Sequence, residues 1–159
     1  MQSLPWFALY VKNQHEKRIA CGLSGKRYES FVPTYMNIHK DGRKNELPLF
    51  PGYVFCRLDT QYKLPVVSTP GVFSIVSAGS EPIPIPDCEI EQIRQLLMSG
   101  LAPRPWPYVG RGQEVYIKSG PLRGMQGMVV NDNHERWLLV SIHMLQRSVA
   151  AKIDRSHFA

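Results

Sequence analysis

The sequence predicts an α+β domain followed by a small all-β barrel, and three observations predict it. Short β-rich runs alternate with two amphipathic helical stretches over roughly the first hundred residues. The stretch SGLAPRPWPYVG (99–110) then places three prolines within five positions between glycines, which neither a helix nor a central strand accommodates. Beyond it, four short strand-like runs separated by turn residues suit a barrel whose closure removes sheet edges. The chain therefore divides into residues 1–100, an extended linker over 101–109, and residues 110–159.

Taken in order, WFALYV (6–11) is aromatic and branched enough for a strand. HEKRIACGLSGK (15–26) sets Ile19 and Leu23 at i, i+4 in a polar background, predicting an amphipathic helix. Gly22 and Gly25 each weaken that helix by about 1 kcal/mol relative to alanine. ESFVPTYMNIHK (29–40) reads as a strand running into a hairpin arm; Asp41-Gly42 is its turn, and the return arm passes through Leu47 and Leu49. In ELPLFPGYVFCRL (46–58), Pro51 lacks the N–H a central strand needs and Gly52 has no side chain to pack, so a bend feeds the strand Tyr53–Leu58. That bend is either an ordinary approach to a core strand or a device that presents Phe50 and Tyr53 outward; Trp6, Val54 and Phe55 are core residues. STPGVFSIVSAG (68–79) supplies another strand, with turns at Pro70-Gly71 and Ala78-Gly79. After Pro86-Asp87, Glu89 and Glu91 suit the positive end of a helix; Ile90, Ile93 and Leu97 form its apolar stripe, and Gly100 closes it. The C-terminal strands are QEVYIKSG (113–120), MQGMVVND (125–132), RWLLVSIHM (136–144) and QRSVAAKI (146–153).

Composition narrows the function classes. The chain is 43% hydrophobic and 20% charged over 159 residues, an ordinary globular balance. No run approaches the roughly 20 apolar residues of a membrane span, and the N-terminus has neither a basic start nor a cleavage site of the secretory kind. Cys21, Cys56 and Cys88 lie far apart with no Cys-x-x-Cys pair, which predicts free thiols in a reducing cytoplasm and no metal or disulfide framework. His15, His39, His134, His143 and His157 are scattered, and neither Gly-x-Ser-x-Gly nor His-Glu-x-x-His occurs, so no catalytic or cofactor site is expected. Of the net charge of +6, residues 12–44 carry eight Lys/Arg against three Asp/Glu, a basic first third able to attract phosphate backbones.

Two motifs carry more. In SGPLRGMQGMVVN (119–131), Gly120 suits a positive-φ turn, while Gly124 and Gly127 permit close backbone approach around a tight loop. Met128-Val129-Val130 returns as a strand. This stretch resembles the KOW motif of transcription elongation factors of the NusG family and of some ribosomal proteins. Trp6-Phe7, Phe50-Pro51-Gly52-Tyr53 and Thr69-Pro70-Gly71-Val72, in that order, are similar to the N-terminal domain of the same family. The resemblance implies a flanked antiparallel sheet, a linker and an SH3-like KOW barrel, acting as a monomeric cytoplasmic elongation or antitermination factor without enzymatic activity. It further implies that Tyr10, Leu49, Phe50, Pro51 and Tyr53 form an apolar surface for the clamp helices of the RNA polymerase β′ subunit, with Phe50 and Tyr53 turned outward.

The Lys-x-x-His-Glu-Lys-Arg form of residues 12–18 is similar to specialised members of the RfaH, LoaP and UpxY type, which serve specific long operons. That likeness implies non-template DNA contact by Lys12, His15 and Arg18, with Lys17 and the hairpin tip Lys40, Arg43 and Lys44 adding phosphate contacts. The His-Thr-Thr step that RfaH uses against the polymerase β subunit is absent, its place taken by Tyr62-Lys63-Leu64-Pro65, so the likeness implies neither that β-subunit contact nor RfaH-like sequence specificity. In the KOW domain, Met144-Leu145-Gln146-Arg147 stands where the family commonly has Ile-Phe-Gly-Arg. Met144, Leu145 and Arg147 are thereby implied to touch a small-subunit ribosomal protein or the termination factor Rho. Val129, Val130, Val140, Ile142 and Val149 favour strands throughout this domain. The alternative reading is a KOW-type RNA- or ribosome-binding protein with no polymerase contact.

Overall fold

The computed structural model describes residues 3–110 and 112–154; His157 lies outside them. The chain gathers into two compact units, Met1–Thr34 with Phe50–Asp87 and Tyr35–Leu49 with Cys88–Ala159. This division does not follow the proline-rich stretch at 99–110.

In the first unit, strands β1 (Trp6–Val11) and β2 (Ser30–Phe31) flank helix α1 (Glu16–Gly25) in the chain. In the second unit, β3 (Thr34–Ile38, its first residue still in the first unit) and β4 (Lys44–Pro48) form a two-stranded hairpin. The single strand expected across 29–40 is thus two strands, because Pro33 cannot donate to a ladder and the chain changes sheets there. Strand β5 (Tyr53–Arg57) follows, then a 3-10 turn (Thr60–Tyr62), helix α2 (Leu64–Val67) and β6 (Val72–Ile75). A short hairpin of β7 (Ser77–Ala78) and β8 (Glu81–Pro82) completes the unit. Helix α2 has no signature in the sequence, because four residues are too few for any periodicity; Asp59 starts the preceding turn by accepting from the Gln61 amide at 3.0 Å.

The main sheet runs β2-β5-β1-β6 and every described pairing in it is antiparallel. Because strand side chains alternate, Phe7, Leu9 and Val11 share one face with Val54 and Cys56. They pack with Ile19 and Leu23 of α1, Val66 of α2 and Ile75 of β6 as one core. Trp6, Ala8 and Phe55 lie on the opposite face and are fully buried, so β1 reads as a near-continuous apolar run. Here the Arg57 guanidinium stacks 4.7 Å from the Trp6 ring and pairs with Glu29 and Asp87, while also donating to the Leu4 carbonyl. Despite its two glycines, α1 forms, because Ile19 and Leu23 supply tertiary packing that outweighs propensity.

The second unit adds α3 (Asp87–Met98, its first residue in the first unit), β9 (Arg104–Trp106), β10 (Gln113–Tyr116), β11 (Gln126–Asp132), β12 (Glu135–Ile142) and β13 (Arg147–Ile153). The buried stripe of α3 is Ile90, Ile93 and Leu96, not Leu97. The C-terminal strands form a five-stranded antiparallel sheet, β10-β11-β12-β13-β9. Part of the expected linker is therefore structural: Arg104-Pro105-Trp106 is an edge strand against β13, with Pro105 opposite Val149. An edge tolerates proline because one side of the strand needs no N–H. Trp106 and Trp137 stack at 4.9 Å between centroids, over a cluster that includes Leu139 and Ala150.

Candidate functional site

The end of β1 where the chain leaves for α1 brings the N-terminal motifs together. Phe50-Pro51-Gly52-Tyr53 is a tight turn in which the Tyr53 amide donates to the Phe50 carbonyl at 3.1 Å and Gly52 has φ of 84°. Thr69-Pro70-Gly71-Val72 repeats it, with a 3.0 Å bond from Val72 to Thr69 and φ of 93° at Gly71. Proline second and positive-φ glycine third is the signature of a type II turn. The two turns lead into β5 and β6, which flank β1, and they bind its consecutive amides. Val11 donates to the Gly52 carbonyl at 2.9 Å and Lys12 donates to the Gly71 carbonyl at 2.8 Å. Two motifs about twenty residues apart thus clasp the same strand end.

The aromatic residues divide differently from expectation. Phe50 is 1% exposed and does not turn outward; its ring meets Phe55 edge-on at 5.3 Å. Leu49 is likewise buried. The turn reverses the chain, but the residue before its proline points into the apolar interior, where an aromatic ring gains most by burial. Tyr53 is 8% exposed and Tyr10, its cross-strand partner, is 43% exposed, with their rings 5.1 Å apart. The accessible apolar edge is therefore Tyr10 with Pro51, backed by Tyr53, while Leu49 and Phe50 are buried.

The basic candidates follow directly. Lys12, Lys17 and Arg18 are exposed and His15 is half-buried. Between them the chain turns through Gln14, held at φ of 67°, a region costly for any residue but glycine. The sequence gives no sign of this strain, since Gln-His carries no turn signature. It also does not single out Glu16, which is only 3% exposed and accepts on one oxygen from the Gln14 amide at 2.9 Å and the Gly52 amide at 3.4 Å. On the hairpin, Lys40 and Lys44 are exposed, and Arg43 pairs with Asp41 at 2.6 Å.

In the C-terminal domain two reasons account for the three motif glycines. Gly120 and Gly124 have φ of 84° and 90°, whereas Gly127 lies where a Cβ would sit 2.6 Å from Leu138 Cδ1 and 3.0 Å from the Leu139 carbonyl oxygen. Gly124 has open space around it, so its conformation and not close approach requires glycine. The β12–β13 connection holds Met144 half-buried, Leu145 buried and Arg147 exposed. Gln146 keeps φ of 50°, the left-handed conformation that the family's glycine suits, at the energetic cost of a side chain. The His143 amide donates to Glu89 at 3.0 Å, and the Tyr108 hydroxyl lies 3.2 Å from His143 Nδ1.

Among the described residues no group of three or more His, Cys, Asp or Glu is placed to hold a metal ion. Burial, with Glu29 adding a smaller contribution, pushes the Cys56 thiol up to about 12, whereas Cys21 and Cys88 are exposed free thiols. No helix among the described residues is long and apolar enough to cross a membrane.

Residues 4–94 match the family described as "Transcription termination factor nusG". The chain is 31% identical to the transcription termination/antitermination protein NusG of Thermus thermophilus, over 97% of each chain. It is 30% identical to the corresponding protein of Neisseria meningitidis, over 98% of this chain and 93% of that one. A solved structure of Thermotoga maritima NusG covers 96% of this chain and 94% of its own with a TM-score of 0.59 and 22% identity, a likeness of fold. With the Phe-Pro-Gly-Tyr and Thr-Pro-Gly-Val turns clasping one strand end, and the match running from the first strand to the third helix, this chain belongs to the NusG family.

Proposed function

We propose that this protein is a non-enzymatic, cytoplasmic transcription elongation or antitermination factor that acts as a monomer and serves specific long operons. It binds the clamp helices of the RNA polymerase β′ subunit and suppresses pausing or termination by favouring the active state. The observation that carries this reading is the Tyr10–Tyr53 pair beside Pro51. Aromatic rings and a rigid proline bury apolar area against a helical partner at little entropic cost. Lys12, His15, Lys17 and Arg18 adjoin that edge and contact the non-template strand through its phosphates, with the tip residues Lys40, Arg43 and Lys44 adding charge. The 110–159 domain engages a small-subunit ribosomal protein or Rho, through Met144 and Arg147 around the buried Leu145.

Co-purification of core polymerase with the wild-type chain and with Tyr10→Ala/Pro51→Ala tests the central step. Wild-type protein retains polymerase and the double variant loses it by about tenfold or more, the size of a truncated anchor. An undiminished double variant rules out this edge. A wild-type chain that ignores polymerase yet binds ribosomal subunits or RNA establishes the second reading, a KOW-type ribosome or RNA binder. On single-stranded DNA, Lys12→Ala/Arg18→Ala flattens the salt dependence; an unchanged slope returns both charges to plain surface.

A further inference from the structure

We infer that Glu16 is the positioning residue that couples the two binding edges, joining the basic loop at 12–15 to the Phe-Pro-Gly-Tyr turn. The inference rests on the proposed function for what the edges bind, and on geometry for the coupling. An acid in the first turn of a helix ordinarily faces water near the positive helix end. Glu16 is buried instead, and a carboxylate is kept from water only where donors replace its hydration. Its described donors come from two separate segments. The Gln14 amide holds the left-handed residue of the basic loop, and the Gly52 amide is the third residue of the turn carrying Pro51 and Tyr53.

Both bonds meet on the same oxygen, Oε1, so neither segment moves without changing the acceptor seen by the other. His15 provides no side-chain cap that would hold the helix start independently of Glu16. The 2.9 Å bond to Gln14 is the firmer, and the 3.4 Å bond to Gly52 leaves room to tighten when a partner presses on the turn. Ordering either edge thereby lowers the entropy lost on ordering the other, and such coupling is reciprocal. Docking on polymerase raises affinity for DNA at the basic loop, and DNA raises affinity for polymerase.

The test uses the full chain with Glu16→Ala, Glu16→Asp and Glu16→Gln. Amide hydrogen exchange at Gln14, Gly52 and Leu9 is measured beside affinities for core polymerase and for single-stranded DNA. Glu16→Ala speeds exchange at Gln14 and Gly52 together by about tenfold or more, as expected for loss of a bond to a charged acceptor. Leu9, in the middle of β1, stays protected, and both affinities fall together. Glu16→Gln, which retains an oxygen at the same reach, keeps most of the protection and both affinities. Glu16→Asp is a methylene shorter and speeds exchange at both amides to a smaller extent, which supplies the readout should the alanine variant fail to fold.

A change at only one of the two amides, loss of only one affinity, or Glu16→Gln failing as badly as alanine overturns the coupling. A wild-type chain that does not bind polymerase overturns the polymerase reading instead. The joint exchange of Gln14 and Gly52 then decides the link through Glu16 without it.

Discussion

Alanine at Gly71 and alanine at Gly52 test the same turn chemistry in two surroundings. Both glycines occupy the third position of a Pro-Gly turn at positive φ, so either substitution carries a conformational penalty of about 1–2 kcal/mol. Only Gly71 adds a collision: its Cβ would lie 2.8 Å from Ile19 Cδ1 and 3.2 Å from Cγ1, whereas nothing lies within 4 Å at Gly52. Ile19 is 2% exposed in the α1–sheet core, so its tip has little free volume to retreat into. Overpacking of this kind costs about 1–3 kcal/mol, and the lower half applies because the colliding atom is a side-chain end. Gly71→Ala is therefore expected to destabilise by roughly 2–4 kcal/mol in total, against about 1–2 for Gly52→Ala. Urea unfolding followed through the amide resonances of β1 and β5 measures both; at a slope of about 1–3 kcal/mol per molar the larger loss moves the midpoint by more than about 0.5 M. Ile19→Val removes Cδ1, so in the Gly71→Ala background it should recover part of the loss, a favourable coupling of about 1 kcal/mol. Equal destabilisation by the two alanines, or no coupling to Ile19, would refute the close-contact reasoning.

Three further outcomes follow from the same structure. Ser141 and Ser148 are buried and share a 2.6 Å hydroxyl–hydroxyl bond, so Ser148→Ala should cost about 1–3 kcal/mol by orphaning its partner, while the double alanine recovers much of it in a double-mutant cycle. Gln146→Gly should leave stability level or raise it by up to about 1 kcal/mol, because glycine accepts φ of 50° freely, whereas Gln146→Val should lower the unfolding midpoint. Alkylation at pH 8 should label Cys21 and Cys88 but spare Cys56 by intact mass until denaturant is added. The Cys56 thiol rises from 9.0 to about 12 in the folded chain, so the unfolded chain loses this proton first. Stability from that group is present below pH 9 and falls as pH climbs from 9 towards 12.

Much of the fold was readable because local chemistry declared it. WFALYV and the last three C-terminal runs became strands within a residue or two of expectation, since branched and aromatic residues fit a pleated surface wherever it forms, whereas QEVYIKSG is strand only over Gln113–Tyr116. Asp41-Gly42, Pro51-Gly52 and Pro70-Gly71 marked real turns because proline and positive-φ glycine act on the backbone itself. Where expectation failed, the deciding partner was distant. Arg104-Pro105-Trp106 looks like linker until β13 offers it an edge, and on α3 it is Leu96, not Leu97, that is buried with Ile90 and Ile93. Helix α2 is too short to announce itself, and is held by Lys26, which donates to the Pro65 carbonyl at 2.9 Å from thirty-nine residues away.

By itself the sequence determined the principal strands and the two longer helices, the two proline-glycine turns, the glycine loop and the family those motifs belong to, all properties of residues close along the chain. Only the tertiary structure decided that both turns clasp one strand end, that Phe50 is buried while Tyr10 stays at the surface, and that Glu16 is an internal acceptor. Each of those depends on segments separated by tens of residues meeting within hydrogen-bond or van der Waals distance. No local pattern encodes such a meeting, because it is fixed by which apolar faces the whole chain must bury at once.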